Sequence, residues 1–216
     1  MPIKAVIFDL DGTLVEFKFR IKEAKRDVVS YLLSKGITGI TASNSTLEIV
    51  DIAKEQKPQE YEQLKDGVFG IYEKYEHEAL QSTRMRSFAI ESLRELKKMG
   101  LSLALVTNSG KRPATEVLEK FCISKFFASV ITRDDVSRIK PDGEGIKKAL
   151  FSLGASNREA VYVGDGIVDI KAARDAEVRE ISITNGSVEE RELRKESPWM
   201  IISSLEEIPK IVRLQQ

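Results

Sequence analysis

Ile3-Lys4-Ala5-Val6-Ile7-Phe8-Asp9-Leu10-Asp11-Gly12-Thr13-Leu14-Val15 is the stretch that decides the fold. An almost wholly apolar run ends abruptly in two carboxylates flanking one leucine, and Gly-Thr follows. A short run rich in β-branched residues, here Ile3 to Phe8, reads as a strand buried on both faces. In an open parallel sheet, chemistry gathers at the carboxyl ends of the strands. Asp9 and Asp11 fall at such an end.

Further along, the same pattern recurs. From Met85 the sequence alternates between helical and strand periodicity: a helix from Phe88 to Met99 is stopped by Gly100, and a second buried strand runs from Leu101 to Val106. A helix from Arg112 to Phe121, a strand from Phe126 to Ile131 and a helix ending at Leu153 follow. Strands from Ala160 to Val163, Arg179 to Ile183 and Met200 to Ile202 come next, and a helix from Leu205 to Leu214 closes the chain. Alternation of this kind predicts an α/β fold, a parallel sheet with helices on both faces. Right-handed crossovers then bring every carboxyl end to one edge.

Between the first strand and this alternation lies a different segment. Ile21, Val28, Val29, Leu32 and Leu33 recur at helical spacing up to Gly36, and Ser43 or Ser45 is placed to cap a second helix. A third helix would carry Tyr61, Leu64, Val68, Ile71, Tyr72 and Tyr75. The reading is an inserted all-helical domain over residues 17–83, with residues 1–16 and 84–216 forming the core.

Composition narrows the function classes. The 216 residues are 42% hydrophobic, with 34 basic and 34 acidic side chains. Balanced charge supplies no global field for nucleic acid or an anionic membrane surface. The single cysteine, Cys122, fits a reducing compartment and reads as a small core residue. No signal-peptide pattern opens the chain, and no apolar run approaches bilayer length. The expectation is a soluble cytoplasmic protein, monomer or homodimer, acting on a small anionic molecule through local charges.

Four polar clusters each follow a predicted strand: Asp9 and Asp11, Thr107 and Asn108, Lys140, and Asp165 with Asp169. Taken singly, several read as ordinary turns, and a lone lysine as a surface residue. Their shared edge favours one chemistry. Asp9 suits a nucleophile that forms an aspartyl phosphate, splitting a hard hydrolysis into two easier steps. Asp11 suits the general acid that protonates the leaving oxygen and then the base that activates water. Carboxylates beside a phosphoryl group make a hard oxygen site for Mg²⁺, with Asp165 as a second carboxylate ligand and Asp169 as ligand or support. Thr107 and Asn108 would donate to phosphoryl oxygens, and Lys140 would set positive charge beside them.

These clusters resemble the four motifs of the haloacid dehalogenase-like superfamily, in order: Asp9-Leu10-Asp11-Gly12-Thr13, Thr107, Lys140, and Gly164-Asp165 through Asp169. The insert is similar in position and helical character to the C1-type cap of phosphoglycolate-phosphatase-like members. The resemblance implies a Rossmann-like core, Mg²⁺-dependent hydrolysis of a phosphate monoester, and metal binding by Asp9, the backbone carbonyl of Asp11, and Asp165. Glu16-Phe17, Arg138-Ile139 and Gly166 depart from common residues of that family and bear on substrate choice.

A phosphosugar mutase on the same scaffold shares these motifs. A non-catalytic phospho-accepting signalling module shares the acids, threonine and lysine, but is shorter and lacks the insert. A dehalogenase would need neither Asp11 nor the metal carboxylate. His77 reads as surface. Arg20, Lys22, Arg84, Arg86 and Arg112 lie near the hinges or loops, where one of them could hold a substrate carboxylate.

Overall fold

A computed structural model describes residues 1–16 and 19–215. The chain divides into two compact units, residues 1–17 with 83–216, and residues 18–82. Phe17, at the hinge suggested by the sequence, lies outside the described residues, as does Lys18.

In the first unit, β1 (Ala5–Phe8) leads into β2 (Val15–Glu16). The second unit holds α1 (Ile21–Ser34), α2 (Thr46–Gln56) and α3 (Tyr61–Leu80). The chain then returns to the first unit through β3 (Arg84–Met85), α4 (Ala89–Lys98), β4 (Ser102–Val106), α5 (Lys111–Lys120), β5 (Ser129–Ile131) and α6 (Glu144–Leu153). It ends with β6 (Ala160–Gly164), α7 (Ile167–Asp175), β7 (Arg179–Ile183), α8 (Glu190–Lys195), β8 (Met200–Ile202) and α9 (Glu207–Arg213).

Six strands form one sheet in the order β5-β4-β1-β6-β7-β8, and every neighbouring pair is parallel. β1 is central, between β4 and β6. From it the chain builds outward first on one side and then on the other. That reversal is the switch point where a parallel sheet opens a crevice at its carboxyl edge.

Side chains alternate across a strand, so each face of β1 needs its own cover. Ala5 and Ile7 share a buried cluster with Ile146 and Ala149 of α6, Ala172 and Ala173 of α7, and Tyr162 of β6. Val6 and Phe8, on the opposite face, are also fully buried. This is why β1 reads as a continuous apolar run rather than an alternating one.

The second unit packs α1, α2 and α3 around its own core of Val28, Leu32, Ile49, Leu64, Val68 and Tyr72. Ser45 caps α2: its hydroxyl accepts from Glu48 N at 3.2 Å, and Glu48 Oε2 accepts from Ser45 N at 2.6 Å. This reciprocal box satisfies two donors that the first helical turn leaves open. Tyr75 donates its hydroxyl to Asp27 Oδ2 at 2.7 Å, tying α3 to α1.

Two expectations are corrected. The strand placed over Phe126 to Ile131 is only Ser129–Ile131, because Ser124–Phe126 forms one 3₁₀ turn and Phe127 N bonds back to Ser124 O. Cys122 is exposed. α5 ends just before it, and the backbone turns left-handed there at φ 54°, sending Cys122 outward and Ile123 into the core. The antiparallel pair of β2 and β3, Val15 against Met85 and Glu16 against Arg84, is too short for periodicity to reveal. No helix among the described residues is long and apolar enough to cross a membrane.

Candidate active site

The four polar clusters meet at the carboxyl edge of the sheet. Asp9 follows β1, Thr107 follows β4, and Asp165 follows β6. Lys140 lies nine residues after β5 by sequence, on a loop that returns to the same place. Its Nζ donates to Asp9 Oδ1 at 2.6 Å, to Asp169 Oδ1 at 2.7 Å and to Tyr162 Oη at 3.0 Å. An ammonium has three protons, so all three are directed at protein acceptors. Asp9, Lys140, Asp165 and Asp169 are all buried.

Close approach is made possible by glycines. Gly12 sits at φ 85°, and a Cβ there would overlap the Asp165 carboxylate. A Cβ on Gly186, in the loop after β7, would overlap the same carboxylate from another side. Asp165 thus lies in a cradle between two backbones that only glycine leaves open. Within it, Thr13 Oγ1 donates to Asp165 Oδ1 at 3.2 Å and Ser187 N donates to Oδ2.

The turn after β4 touches the remaining clusters. Asn108 Oδ1 accepts from Lys140 N at 2.9 Å, and Asn108 Nδ2 donates to Lys140 O at 3.0 Å. The Asn108 amide, expected from the sequence to donate to a phosphoryl oxygen, engages both backbone polar groups of residue 140 and fixes the lysine's backbone. Ser109 donates its hydroxyl to Asp11 Oδ2, and Ser109 N donates to Thr107 Oγ1 at 3.0 Å. Asp11 is half-buried, less enclosed than Asp9. The two carboxylates of the first motif therefore stand in different surroundings.

Charge shapes the cluster. Burial pushes the Asp9 carboxyl well above its ordinary value, Lys140 pulls it down, and Asp169, Asp165 and Asp11 push it up further. Burial raises Asp165 too, reinforced by Asp169 and opposed by the Ser187 N–H. For Lys140, burial works against the charged form, but Asp169 and Asp9 more than compensate and hold it above the usual lysine range. Burial and Asp169 raise the Tyr162 phenol, which stays protonated and donates to Asp169 Oδ1 at 2.8 Å.

Asp9, Asp165 and Asp169 each offer a carboxylate oxygen, and the three lie within 4.8 Å of one another. Buried hard oxygens in excess of nearby cations are the donor set that a small divalent ion such as Mg²⁺ accepts. Asp169 Oδ1 already accepts from Lys140 and Tyr162, and its Oδ2 from Gly166 N at 3.0 Å.

Of the arginines near the loops, Arg20 pairs with Glu78, and Arg112 pairs with Glu116. Arg86 donates from one terminal nitrogen to Gly12 O and from the other to Thr184 O, so it joins the first-motif loop to the loop after β7. His77 is exposed. Tyr162, Ser109 and Gly186 take part without having been singled out. Ser109 directly follows Thr107 and Asn108, and Tyr162 lies on a strand two residues before Gly164, but neither type signals a site by itself.

The sequence profile of haloacid dehalogenase-like hydrolases matches residues 6–183, from β1 through β7. The chain belongs to that family. Members similar to it include glyceraldehyde 3-phosphate phosphatase of Methanocaldococcus jannaschii, 30% identical over 223 residues, covering 98% of this chain and 97% of that protein. Pyrophosphatase PpaX of Halalkalibacterium halodurans is 27% identical, with 98% of each chain covered. Among solved structures, a hydrolase from Pseudomonas syringae superposes with a TM-score of 0.71 at 22% identity, covering 99% of this chain and 100% of that one, a likeness of fold. This haloacid dehalogenase-like hydrolase is thus similar, over nearly its whole length, to proteins named as a phosphatase and a pyrophosphatase.

Proposed function

We infer that this chain is a Mg²⁺-dependent phosphatase that hydrolyses a small phosphorylated metabolite through an aspartyl phosphate on Asp9. One observation carries the reading: the Asp9 carboxylate is held on one oxygen by buried Lys140 within a cluster of Asp165 and Asp169, at the switch point of a haloacid dehalogenase-like sheet. Relatives named for glyceraldehyde 3-phosphate and phosphoglycolate support a small monoester as substrate.

Lys140 engages Oδ1, and Oδ2, which has the Thr13 hydroxyl at a long 3.5 Å, is assigned as the attacking oxygen. Oδ2 bonds to phosphorus as the bond to the leaving oxygen breaks. Asp11 gives that oxygen its proton. In the second step Asp11 takes a proton from water, the water oxygen bonds to phosphorus, and the Asp9–phosphorus bond breaks to release inorganic phosphate. The Thr107 hydroxyl, whose oxygen accepts from Ser109 N, donates its own proton toward a phosphoryl oxygen. Asp9, Asp165 and the backbone carbonyl of Asp11 would hold Mg²⁺, with Asp169 supporting them. Bound there, the ion supplies positive charge that offsets repulsion between carboxylate and phosphoryl group. The helical unit over residues 18–82 is assigned the part of a cap that selects substrate.

The test is phosphate release from glyceraldehyde 3-phosphate, phosphoglycolate, pyrophosphate and sugar phosphates, with and without Mg²⁺. Metal-dependent release, abolished in Asp9→Asn, is expected. Isomerised sugar phosphate in place of free phosphate would make the protein a mutase, and full turnover by Asp9→Asn would end the nucleophile assignment.

A further inference from the structure

We propose that Ser109 is a positioning residue for proton transfer, holding the Asp11 carboxyl so that one oxygen faces the leaving group. The inference rests on the reading of Asp11 as general acid and deepens it. Ser109 is buried, in the turn between β4 and α5, 98 positions from Asp11. Its hydroxyl donates to Asp11 Oδ2. Its backbone N–H donates to Thr107 Oγ1 at 3.0 Å, and its carbonyl accepts from Arg133 N at 3.2 Å. The residue is thus fixed from both backbone groups, and its hydroxyl is a rigid handle.

The consequence follows from the chemistry of a carboxyl group. An oxygen that accepts a hydroxyl proton is a poor site for a proton of its own. With Oδ2 accepting from Ser109, the plane of the carboxyl is set and that oxygen is turned away from carrying the proton. Proton transfer needs the donor within hydrogen-bond reach of the leaving oxygen, in the right orientation. The same residue also supports the Thr107 hydroxyl. Ser109 therefore couples the group that protonates the leaving oxygen to the group that contacts the phosphoryl oxygens.

A purely structural serine would affect all substrates alike. A serine that aims the acid affects only substrates whose leaving oxygen needs a proton. The experiment measures kcat/KM, which reports the steps up to transfer of the phosphoryl group to Asp9, across a series from p-nitrophenyl phosphate to alkyl phosphates. The phenolate leaves unprotonated, whereas an alkoxide does not. In Ser109→Ala, kcat/KM for alkyl phosphates is expected to fall about 10–100-fold, a part of what general acid catalysis contributes, while p-nitrophenyl phosphate changes less than about threefold. Ser109→Thr keeps the hydroxyl and is expected to keep the wild-type dependence on the leaving group.

Asp11→Asn separates the two claims. If it steepens the dependence and Ser109→Ala does not, the acid assignment stands and the Ser109 proposal is overturned. An equal loss on every substrate in Ser109→Ala, or a selective loss of alkyl phosphates in Ser109→Thr, overturns it as well. If Asp11→Asn leaves the dependence unchanged, the acid assignment fails and the Ser109 proposal falls with it.

Discussion

Lys140 reaches Asp9 across 131 positions of sequence, Nζ to Oδ1 at 2.6 Å, with both side chains shut away from solvent. The ammonium is also the bridge to Asp169. Removing it leaves buried carboxylates without their counter-charge, which typically costs about 3–5 kcal/mol. Lys140→Met is therefore expected to lose activity and to unfold at lower denaturant near neutral pH. The sign with pH can be worked out. The folded lysine is held above its ordinary 10.5, so its stabilisation is fully present below that value and fades only at higher pH. The deficit of the variant should shrink in acid, where Asp9, already raised by burial, takes up a proton. Chemical denaturation of both proteins at pH 5 and pH 7.5 checks this. An equal gap at both pH values would contradict the pairing.

Metal addition provides a second check. A ligand that binds only the folded state stabilises by about 2.7 kcal/mol at one hundred times its Kd. Mg²⁺ should raise the Tm of the wild type and have little effect on Asp165→Asn. Gly186→Ala should weaken the response by about 10–100-fold in apparent affinity, the range seen when support for a ligand is lost. The added methyl would collide with the Asp165 carboxylate and force it to move. Mg²⁺ titration followed by thermal unfolding decides it, with no substrate present. A Gly186→Ala variant that responds like wild type would mean that Asp165 is not held by that loop.

Glu180 makes a prediction of opposite sign to Lys140. It is buried on β7, opposite Tyr162 in the register, and accepts from the Ser182 hydroxyl at 2.9 and 3.1 Å. Burial pushes its carboxyl up to about 9, Ser182 lowers it in part, and Asp169 raises it. Between its ordinary 4.5 and about 9, the folded protein keeps a proton that the unfolded chain has released. Stability must fall as pH rises through that window. Glu180→Gln removes the penalty, so it should be close to neutral at pH 5 and stabilising by roughly 1–3 kcal/mol at pH 8. Denaturant midpoints at the two pH values give the comparison. A variant equally stable relative to wild type at both would show that Glu180 is ionised in the fold.

The residues that sequence reading could place are those whose role follows strand geometry. An apolar run ending in Asp9 has one place to go in a parallel sheet, and Thr107 and Asp165 stand at equivalent ends of β4 and β6. Lys140 is legible only through its order after the third strand, since the eight residues between Ile131 and Lys140 leave its direction open. The pairing of Asn108 with the Lys140 backbone is not legible in sequence, because an amide offers both a donor and an acceptor and any peptide group brought near it satisfies both at once. Gly186 and Tyr162 left no local signal. Their roles arise from what a distant carboxylate needs beside it. Cys122 was misplaced because the left-handed residue that ends a helix is set by backbone geometry, not by hydrophobicity.

Tyr162 offers the most direct separation of packing from chemistry. Its ring belongs to the core between α6 and α7, while its hydroxyl accepts from Lys140 Nζ at 3.0 Å and donates to Asp169 Oδ1 at 2.8 Å. Tyr162→Phe keeps the ring and removes only the oxygen. A buried ammonium proton then loses its acceptor and a buried carboxylate loses a donor. Leaving such a group unsatisfied costs about 1–3 kcal/mol, so the variant should unfold earlier by that amount. Lys140 keeps its bonds to Asp9 and Asp169, and the fold of the site is retained. Turnover should therefore fall by far less than in Lys140→Met, with KM changed little. Measuring kcat, KM and denaturant midpoint on the one variant tests both parts. A Tyr162→Phe protein as stable and as active as wild type would mean that the lysine is held by the two carboxylates alone.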